Sequence, residues 1–263
     1  MYRFVFFVPE EELLTAYQYF PKGFEIVNYK KGEGYQIALY SEKEEDFQNV
    51  PFKLIKKEKF QYKDWKEYYQ PIEVGKNIVI IPPWEDKKKW KDKTVLIIKP
   101  GKAFGTGLHE SSRLCLKLLE ETNLKDKRVL DVGCGSGILS LYCAKEGASE
   151  VLAVDIDPFA VEETQENARL NGLENRIKTM KASPSDLKEE KPYDVVVANL
   201  EIHIFRDVLK DIVPKIGQKA IFSGIYKTRE LIEFLQLLEK YNLKPVKVIE
   251  ENDWYGIEAI KTP

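Results

Sequence analysis

With 263 residues the chain is long enough for one large domain or two small ones, each with a core of its own. Charged residues make up 32% of it but nearly cancel, for a formal net charge of -2, so no global field is present to hold a nucleic acid or a membrane surface. No run approaches the roughly eighteen apolar residues of a membrane span, and three cysteines without a C-x-x-C pair, beside two histidines, exclude a zinc site.

In chain order, Met1 to Pro9 is short, rich in β-formers, followed by acids and without a small-residue cleavage site. It reads as a strand and not a signal peptide, and a cytoplasmic protein is expected. A strand over Tyr2 to Val8, a helix over Glu10 to Tyr19 and a hairpin of Glu25 to Tyr29 with Tyr35 to Tyr40 come first. A short helix around Glu42 to Phe47 and a strand over Phe52 to Phe60 complete a β-α-β-β-α-β set. That pattern predicts a small ferredoxin-like α+β domain over residues 1–57. It carries no glycine-rich phosphate loop, histidine or cysteine, so recognition or packing is its expected role.

Gln61 to Gln70, aromatic and charged and stopped by Pro71, predicts a linker helix over residues 58–70, ahead of a second domain over 71–263. Glu73 to Ile81 and Thr94 to Lys99 read as strands around Pro82 to Trp90, where lysines flank two tryptophans. Basic and aromatic residues together can stack on single-stranded nucleic acid, but one short patch in a net acidic chain reads better as a solvated loop, and no nucleic-acid partner is expected. Lys99 to Ser112 follows, with Gly101, Gly105 and Gly107. Ser111 or Ser112 can cap a helix from Arg113 to about Glu121, and Gly105-Thr-Gly107 is placed to fold over a ligand as a lid.

The stretch Val129-Leu-Asp-Val-Gly-Cys-Gly-Ser-Gly-Ile-Leu139 reads as a buried parallel strand, a tight turn and a helix N-terminus. A second apolar strand, Val151 to Val154, ends in Asp155, at the spacing of a βαβ unit whose helix is Ile138 to Glu146. A carboxylate at that strand tip can accept hydrogen bonds from two vicinal ribose hydroxyls, which points to a nucleoside. A dinucleotide site wants G-x-G-x-x-G so that a helix N-terminus can face a pyrophosphate. Counting from Gly133 the third glycine position is Ile138, and from Gly135 it is Ser140, so neither register fits.

Beyond the loop, Asp157 and Pro158 begin a helix over Phe159 to Leu170. Strands are predicted at Arg176 to Lys181, Tyr193 to Ala198, Lys219 to Ser223, Lys244 to Glu250 and Tyr255 to Lys261, with helices at Ile202 to Val213 and Thr228 to Tyr241. The last two strands form a hairpin, so the final strand is antiparallel in a seven-stranded sheet. Asn199 follows Val195-Val-Val-Ala198 at the carboxyl end of a core strand, where such sheets bind ligands. His109 and His203 can each accept a proton, yet a lid turn and a helix surface explain them equally well, and neither is named as a base.

The pattern G-x-G-x-G, with Asp131 before it and Asp155 after the next strand, resembles the S-adenosylmethionine site of the seven-stranded, Rossmann-like methyltransferases. Ala103-Phe-Gly-Thr-Gly-Leu-His109, Arg113-Leu-Cys-Leu116, Asp155-Ile-Asp-Pro-Phe-Ala160, Glu166-Asn-Ala-Arg-Leu-Asn-Gly172, Asp194-Val-Val-Val-Ala-Asn199 and Ser223-Gly-Ile225 narrow this further. They are similar to stretches of the family that methylates ribosomal protein L11, known as PrmA. The resemblance implies transfer of methyl groups from S-adenosylmethionine to lysine ε-amines, and to an N-terminal α-amine, of that ribosomal protein. It also implies a small N-terminal recognition domain, a linker and a catalytic domain.

On the residues and the resemblance together, the cofactor site is expected at Phe104, Thr106, Gly107, Ser112, Asp131, Gly133, Gly135, Gly137, Asp155, Ile156 and Asn199. Asn199 doubles as the expected catalytic residue, since its side-chain carbonyl can orient an amine. The chain departs from the family at Glu110-Ser-Ser112, where Pro-Thr-Thr is usual, and at Leu200 to Phe205, both beside the entry of an acceptor amine. No Pro-Pro-Tyr accompanies Asn199, which argues against methylation of adenine or glutamine amides. The alternatives are an RNA base methyltransferase and a catalytically silent cofactor-binding module; no metal is expected, and the chain is read as a monomer.

Overall fold

The computed structural model describes residues 1–21, 23–47, 49–59, 69–101, 109–188 and 191–261. The chain divides into two compact units, Met1–Tyr68 and Tyr69–Pro263.

The first unit runs β1 (Tyr2–Pro9), a 3-10 turn (Glu10–Glu12), α1 (Leu13–Tyr19), β2 (Glu25–Lys30), β3 (Gly34–Ser41) and β4 (Lys53–Lys59). Its sheet is antiparallel in the order β2-β3-β1-β4. Alternate β1 residues Phe4, Phe6 and Val8 are buried against Ala16, Phe20, Ile37, Leu39 and Phe52, as the period of a one-sided strand requires. The strand order is that of a ferredoxin-like set, but Glu42 to Phe47 forms a turn and not the predicted helix. Two local facts explain the difference. The Ser41 hydroxyl donates to the Asp46 carboxylate, a bond that competes with helical pairing, and Phe47 takes a left-handed φ of 64°, with its ring edge-on to Phe4 at 5.2 Å. Of the predicted linker helix, Glu58 and Lys59 belong to β4 and residues 60–68 lie outside those described.

The second unit opens with β5 (Ile72–Val74), β6 (Ile78–Ile81) and β7 (Thr94–Ile97), a small sheet in that order. The single strand predicted over Glu73 to Ile81 is a hairpin. Gly75 turns it at φ 58°, and the Glu120 carboxylate accepts from the backbone N–H groups of Lys76 at 2.9 Å and Asn77 at 2.6 Å. Then come α2 (Glu110–Glu120), β8 (Arg128–Val132), α3 (Ile138–Lys145), β9 (Glu150–Asp155), α4 (Pro158–Leu170), β10 (Ile177–Lys181), β11 (Tyr193–Asn199), α5 (Ile202–Ile212), β12 (Ile216–Tyr226), α6 (Lys227–Lys240), β13 (Leu243–Glu251) and β14 (Trp254–Lys261).

Seven of these strands form one sheet in the order β10-β9-β8-β11-β12-β14-β13, with β14 antiparallel to both its neighbours. The central strands are buried on both faces, which is why they read as unbroken apolar runs. Val129, Val151 and Ala153 pack with Leu116, Leu139 and Ala168 on one side; Leu130, Leu152 and Val154 share the other core with Phe205, Phe222 and Phe234. Sequence order proceeds outward from β8 through β9 and β10, then resumes on its other side at β11. The strand tips therefore leave a crevice between β8 and β11, the place where such a sheet takes a ligand. Among the described residues no helix is long and apolar enough to cross a membrane.

Candidate active site

Gly133, Gly135 and Gly137 hold φ angles of 73°, 53° and 81° at the tip of β8. Side chains are strained in that left-handed region, and at two of the three glycines there is no room for one. A Cβ on Gly133 would stand 2.5 Å from Leu200 Cδ2, and one on Gly137 would stand 2.7 Å from Thr164 Cγ2. Two buried side chains of α4 fix the loop from behind: Thr164 Oγ1 donates to the Gly135 carbonyl at 2.9 Å, and Asn167 Nδ2 donates to the Ser136 carbonyl at 2.8 Å.

The N–H groups of the three glycines and of Cys134 are already committed. Gly133 and Cys134 donate to the Val154 carbonyl at 2.8 and 3.1 Å, Gly135 donates to Asp155 Oδ2 at 3.1 Å, and Gly137 donates to the Cys134 carbonyl at 2.8 Å. A pyrophosphate site works by turning such amides toward the ligand, so this loop offers close approach and no phosphate cradle. Asp155 is held at both oxygens, its Oδ1 accepting from the Asp157 N–H at 3.0 Å. Each oxygen keeps a lone pair for a further donor.

A cleft of about 510 Å³ opens over these groups, within the range of small-molecule sites. One end is lined by Gly133, Gly135, Asp155, Ile156 and the turn Ala182-Ser-Pro184; the other by Asn199, Leu200, Gly224, His109 and Trp254. Ile156 is 71% exposed, an apolar side chain left open beside Asp155. With Pro184 it makes a surface suited to a flat base. Asn199 donates from Nδ2 to Ser112 Oγ at 3.3 Å, while its buried Oδ1 has no hydrogen-bond partner among the described residues. An acceptor left bare in this way carries a desolvation cost that a ligand N–H removes.

The expected site residues thus separate. Gly133, Gly135, Asp155, Ile156 and Asn199 meet in one cleft. Ser112 is buried and acts through Asn199, and Gly137 serves as the N-cap of α3. Asp131 lies beneath the loop, 0% exposed, with Oδ2 accepting from the Ser140 N–H and hydroxyl at 3.1 and 2.6 Å and Oδ1 without a partner among the described residues. Burial pushes its carboxyl up to about 7, against the pull of the two Ser140 bonds. Phe104, Thr106 and Gly107 lie outside the described residues.

The cap of α2 is His109, not Ser111 or Ser112: its Nδ1 accepts from the Ser111 N–H at 3.2 Å. With Nδ1 accepting, the neutral tautomer of this ring carries its proton on Nε2. His203 sits on α5, 3.2 Å from Glu201, and does not line the cleft. The sequence reading passed over Gly224 and Trp254. Gly224, at φ 88°, lets the Leu200 backbone cross; a Cβ there would stand 2.3 Å from the Leu200 carbonyl oxygen. Its signal was the matched Ser223-Gly-Ile225. Trp254 is placed by its pairing with Tyr226 across β12 and β14, which no local pattern shows.

The family model described as ribosomal protein L11 methyltransferase (PrmA) matches residues 11–262. The ribosomal protein L11 methyltransferase of Aquifex aeolicus is 41% identical over 259 residues, covering 98% of each chain. That of Caldicellulosiruptor bescii is 44% identical over 209 residues, 78% of this chain and 66% of its own. Among solved structures, the ribosomal protein L11 methylase of Lactobacillus delbrueckii subsp. bulgaricus superposes with a TM-score of 0.68 at 31% identity, over 74% of this chain and 100% of that one. A putative RNA methyltransferase of Pyrococcus horikoshii, at 19% identity and a TM-score of 0.51 over 58% of this chain and 83% of its own, shares the fold.

Proposed function

The chain belongs to the ribosomal protein L11 methyltransferase family, and from that premise we propose that it moves methyl groups from S-adenosylmethionine to lysine ε-amines, and to the N-terminal α-amine, of ribosomal protein L11. The observation that carries the reading is the loop whose three glycine amides are bonded inside the protein, next to a ribose-competent carboxylate and a buried acceptor on Asn199 that has no partner among the described residues. Those residues fit a nucleoside without phosphate groups that must be brought against an amine.

The bound sulfonium supplies an activated methyl group, so the protein's task is mainly positioning. Asp155 would accept the ribose hydroxyls, with Ile156 and Pro184 flanking the base. The bare glycine Cα atoms of Gly133 and Gly135 admit the methionyl chain. Asn199 Oδ1 accepts one N–H of the incoming amine and aims its lone pair along the line of transfer. Leu200 and Trp254 give that amine an apolar wall, and desolvation favours its neutral, nucleophilic form. After transfer the amine nitrogen would carry the positive charge that left the sulfonium, and its extra proton would pass to water at the open cleft. The first unit, with its separate core and no histidine, cysteine or glycine-rich phosphate loop, is assigned to docking the ribosomal protein.

The test is incubation of the full chain with methyl-labelled S-adenosylmethionine, purified L11 and ribosomal RNA. Label recovered on lysines and the N-terminus of L11 is the expected result. Label in RNA would replace the reading with RNA base methylation, and cofactor binding without any transfer would leave a silent binding module.

A further inference from the structure

The acceptor end of the cleft is assembled from pieces far apart in the chain. His109 caps α2, and Trp254 opens β14. Their rings meet edge-on at 4.4 Å, with Tyr226 at 4.8 Å on Trp254. Neither backbone segment continues into the other, so something must set the distance between them.

Glu251, the last residue of β13, stands just before the two-residue turn that delivers Trp254. Asn252 and Asp253 there have φ of 52° and 64°, the paired left-handed angles of a tight hairpin turn. Glu251 Oε1 accepts from Arg113 Nε at 2.8 Å and Nη2 at 2.5 Å, a two-pronged grip across 138 residues of sequence. Its Oε2 accepts from Lys117 Nζ at 2.6 Å. Arg113 and Lys117 lie four residues apart on one face of α2. Beside them Asn252 Nδ2 donates to Glu110 Oε1 at 3.1 Å. On its other side the turn is tied to the start of α6, the Lys227 N–H donating to the Asp253 carbonyl at 2.7 Å.

The side chains of Arg113 and Glu251 are only 17% and 24% exposed. Burial alone would raise the Glu251 carboxyl, but Lys117 and Arg113 outweigh it and hold it below the usual carboxylate range, so the grip stays charged at neutral pH. Apolar side chains of similar volume would hold two segments together about as well. A charged, directional grip adds a fixed register between them.

We propose that Glu251 is a positioning residue for the methyl acceptor: by gripping Arg113 and Lys117 it fixes Trp254 against His109 and so sets where the amine is held opposite Asn199. The inference rests on the methyltransferase reading above and adds to it a residue that touches neither cofactor nor acceptor.

The test compares the full chain with Glu251→Ala, Glu251→Gln, Trp254→Ala and the Glu251→Ala/Trp254→Ala double variant. Three quantities are read: kcat/KM for L11, cofactor affinity by calorimetry, and thermal midpoint. Glu251→Ala is expected to lower kcat/KM for L11 about tenfold, the scale of a sub-ångström misplacement, with cofactor affinity within about twofold of the parent. Glu251→Gln, which keeps an acceptor oxygen for Arg113, should recover most of the loss. In the Trp254→Ala background Glu251→Ala should cost no more than about twofold further, because its route of action is gone.

Unchanged acceptor kinetics in Glu251→Ala, an equal fall in cofactor affinity, or losses that multiply with Trp254→Ala would each overturn the proposal. Should Glu251→Ala fail to fold, Glu251→Gln carries the same comparison: a loss of about two- to threefold confined to the acceptor supports it, and none contradicts it. A parent enzyme inert toward L11 would sink the underlying reading, whereas an active parent with an insensitive Glu251→Ala would sink only this inference.

Discussion

The two ends of the cleft are made differently. The cofactor end is a matter of backbone: three left-handed glycines, loop amides bonded to Val154, Asp155 and Cys134, a carboxylate held by two neighbouring N–H groups, and α4 side chains pinning the turn. Its parts fall almost wholly between Asp131 and Asn167, one βαβα stretch. The acceptor end is mainly a matter of side chains drawn from α2, β11, β13 and β14 and joined by Asn199 to Ser112 and Glu251 to Arg113. A site made of backbone is hard to alter without losing it, while one stitched from side chains can be re-cut for another acceptor.

The comparison makes graded demands. The largest effect is expected for Asp155→Ala, which removes two charge-assisted hydrogen bonds to ribose: about 3 kcal/mol or more, upward of roughly 100-fold in the calorimetric Kd for S-adenosylhomocysteine. A variant that bound normally would break the assignment of this end. Next is Asp131→Asn. The folded carboxyl sits at about 7 against roughly 3.9 unfolded, a raised acid whose stabilising contribution is complete below the unfolded value and lost as pH rises through 7. Wild type should therefore lose roughly 2–3 kcal/mol from this group between about pH 5 and 8. Urea titrations at those two values should find that loss missing in the asparagine variant.

Asn199→Ala tests the border between the ends. It deletes one hydrogen bond to the amine, about 1.4 kcal/mol or tenfold in kcat, with the cofactor Kd within about twofold. Equal damage to cofactor binding would move Asn199 to the other side of the comparison. The smallest effect belongs to Thr164→Val, which keeps the methyl contact with Gly137 but drops the bond to the Gly135 carbonyl. A fall of about threefold in cofactor affinity is expected from the calorimetric titration, with acceptor KM unmoved.

What the sequence revealed follows the same divide. Glycines at alternate positions between an apolar strand and a helix, with an acid at the next strand's tip, are local features, and Gly133, Gly135 and Asp155 could be read in order. The sheet was legible too, because its strands are buried runs spaced by amphipathic helices. Asp131 was legible as a member of the motif, but not as a buried anchor for Ser140, since burial is set by α3 folding back over it. Trp254 was hidden because its place depends on antiparallel register between β12 and β14. The α2 cap was misplaced because serine is the commoner cap and the imidazole took the role. In the first unit, a bond from Ser41 to Asp46 and a left-handed Phe47 undid a helix that composition alone favoured.

The central claim is that one cleft holds a phosphate-free nucleoside by its ribose and presents its sulfur to an amine beside Asn199. The most direct measurement is a crystal structure of the full chain with S-adenosylhomocysteine. The ribose hydroxyls should lie within hydrogen-bond distance of both Asp155 oxygens, with the sulfur between Gly133 and Asn199. A nucleoside found elsewhere, or one bound there with its sulfur turned away from Asn199, would contradict the account.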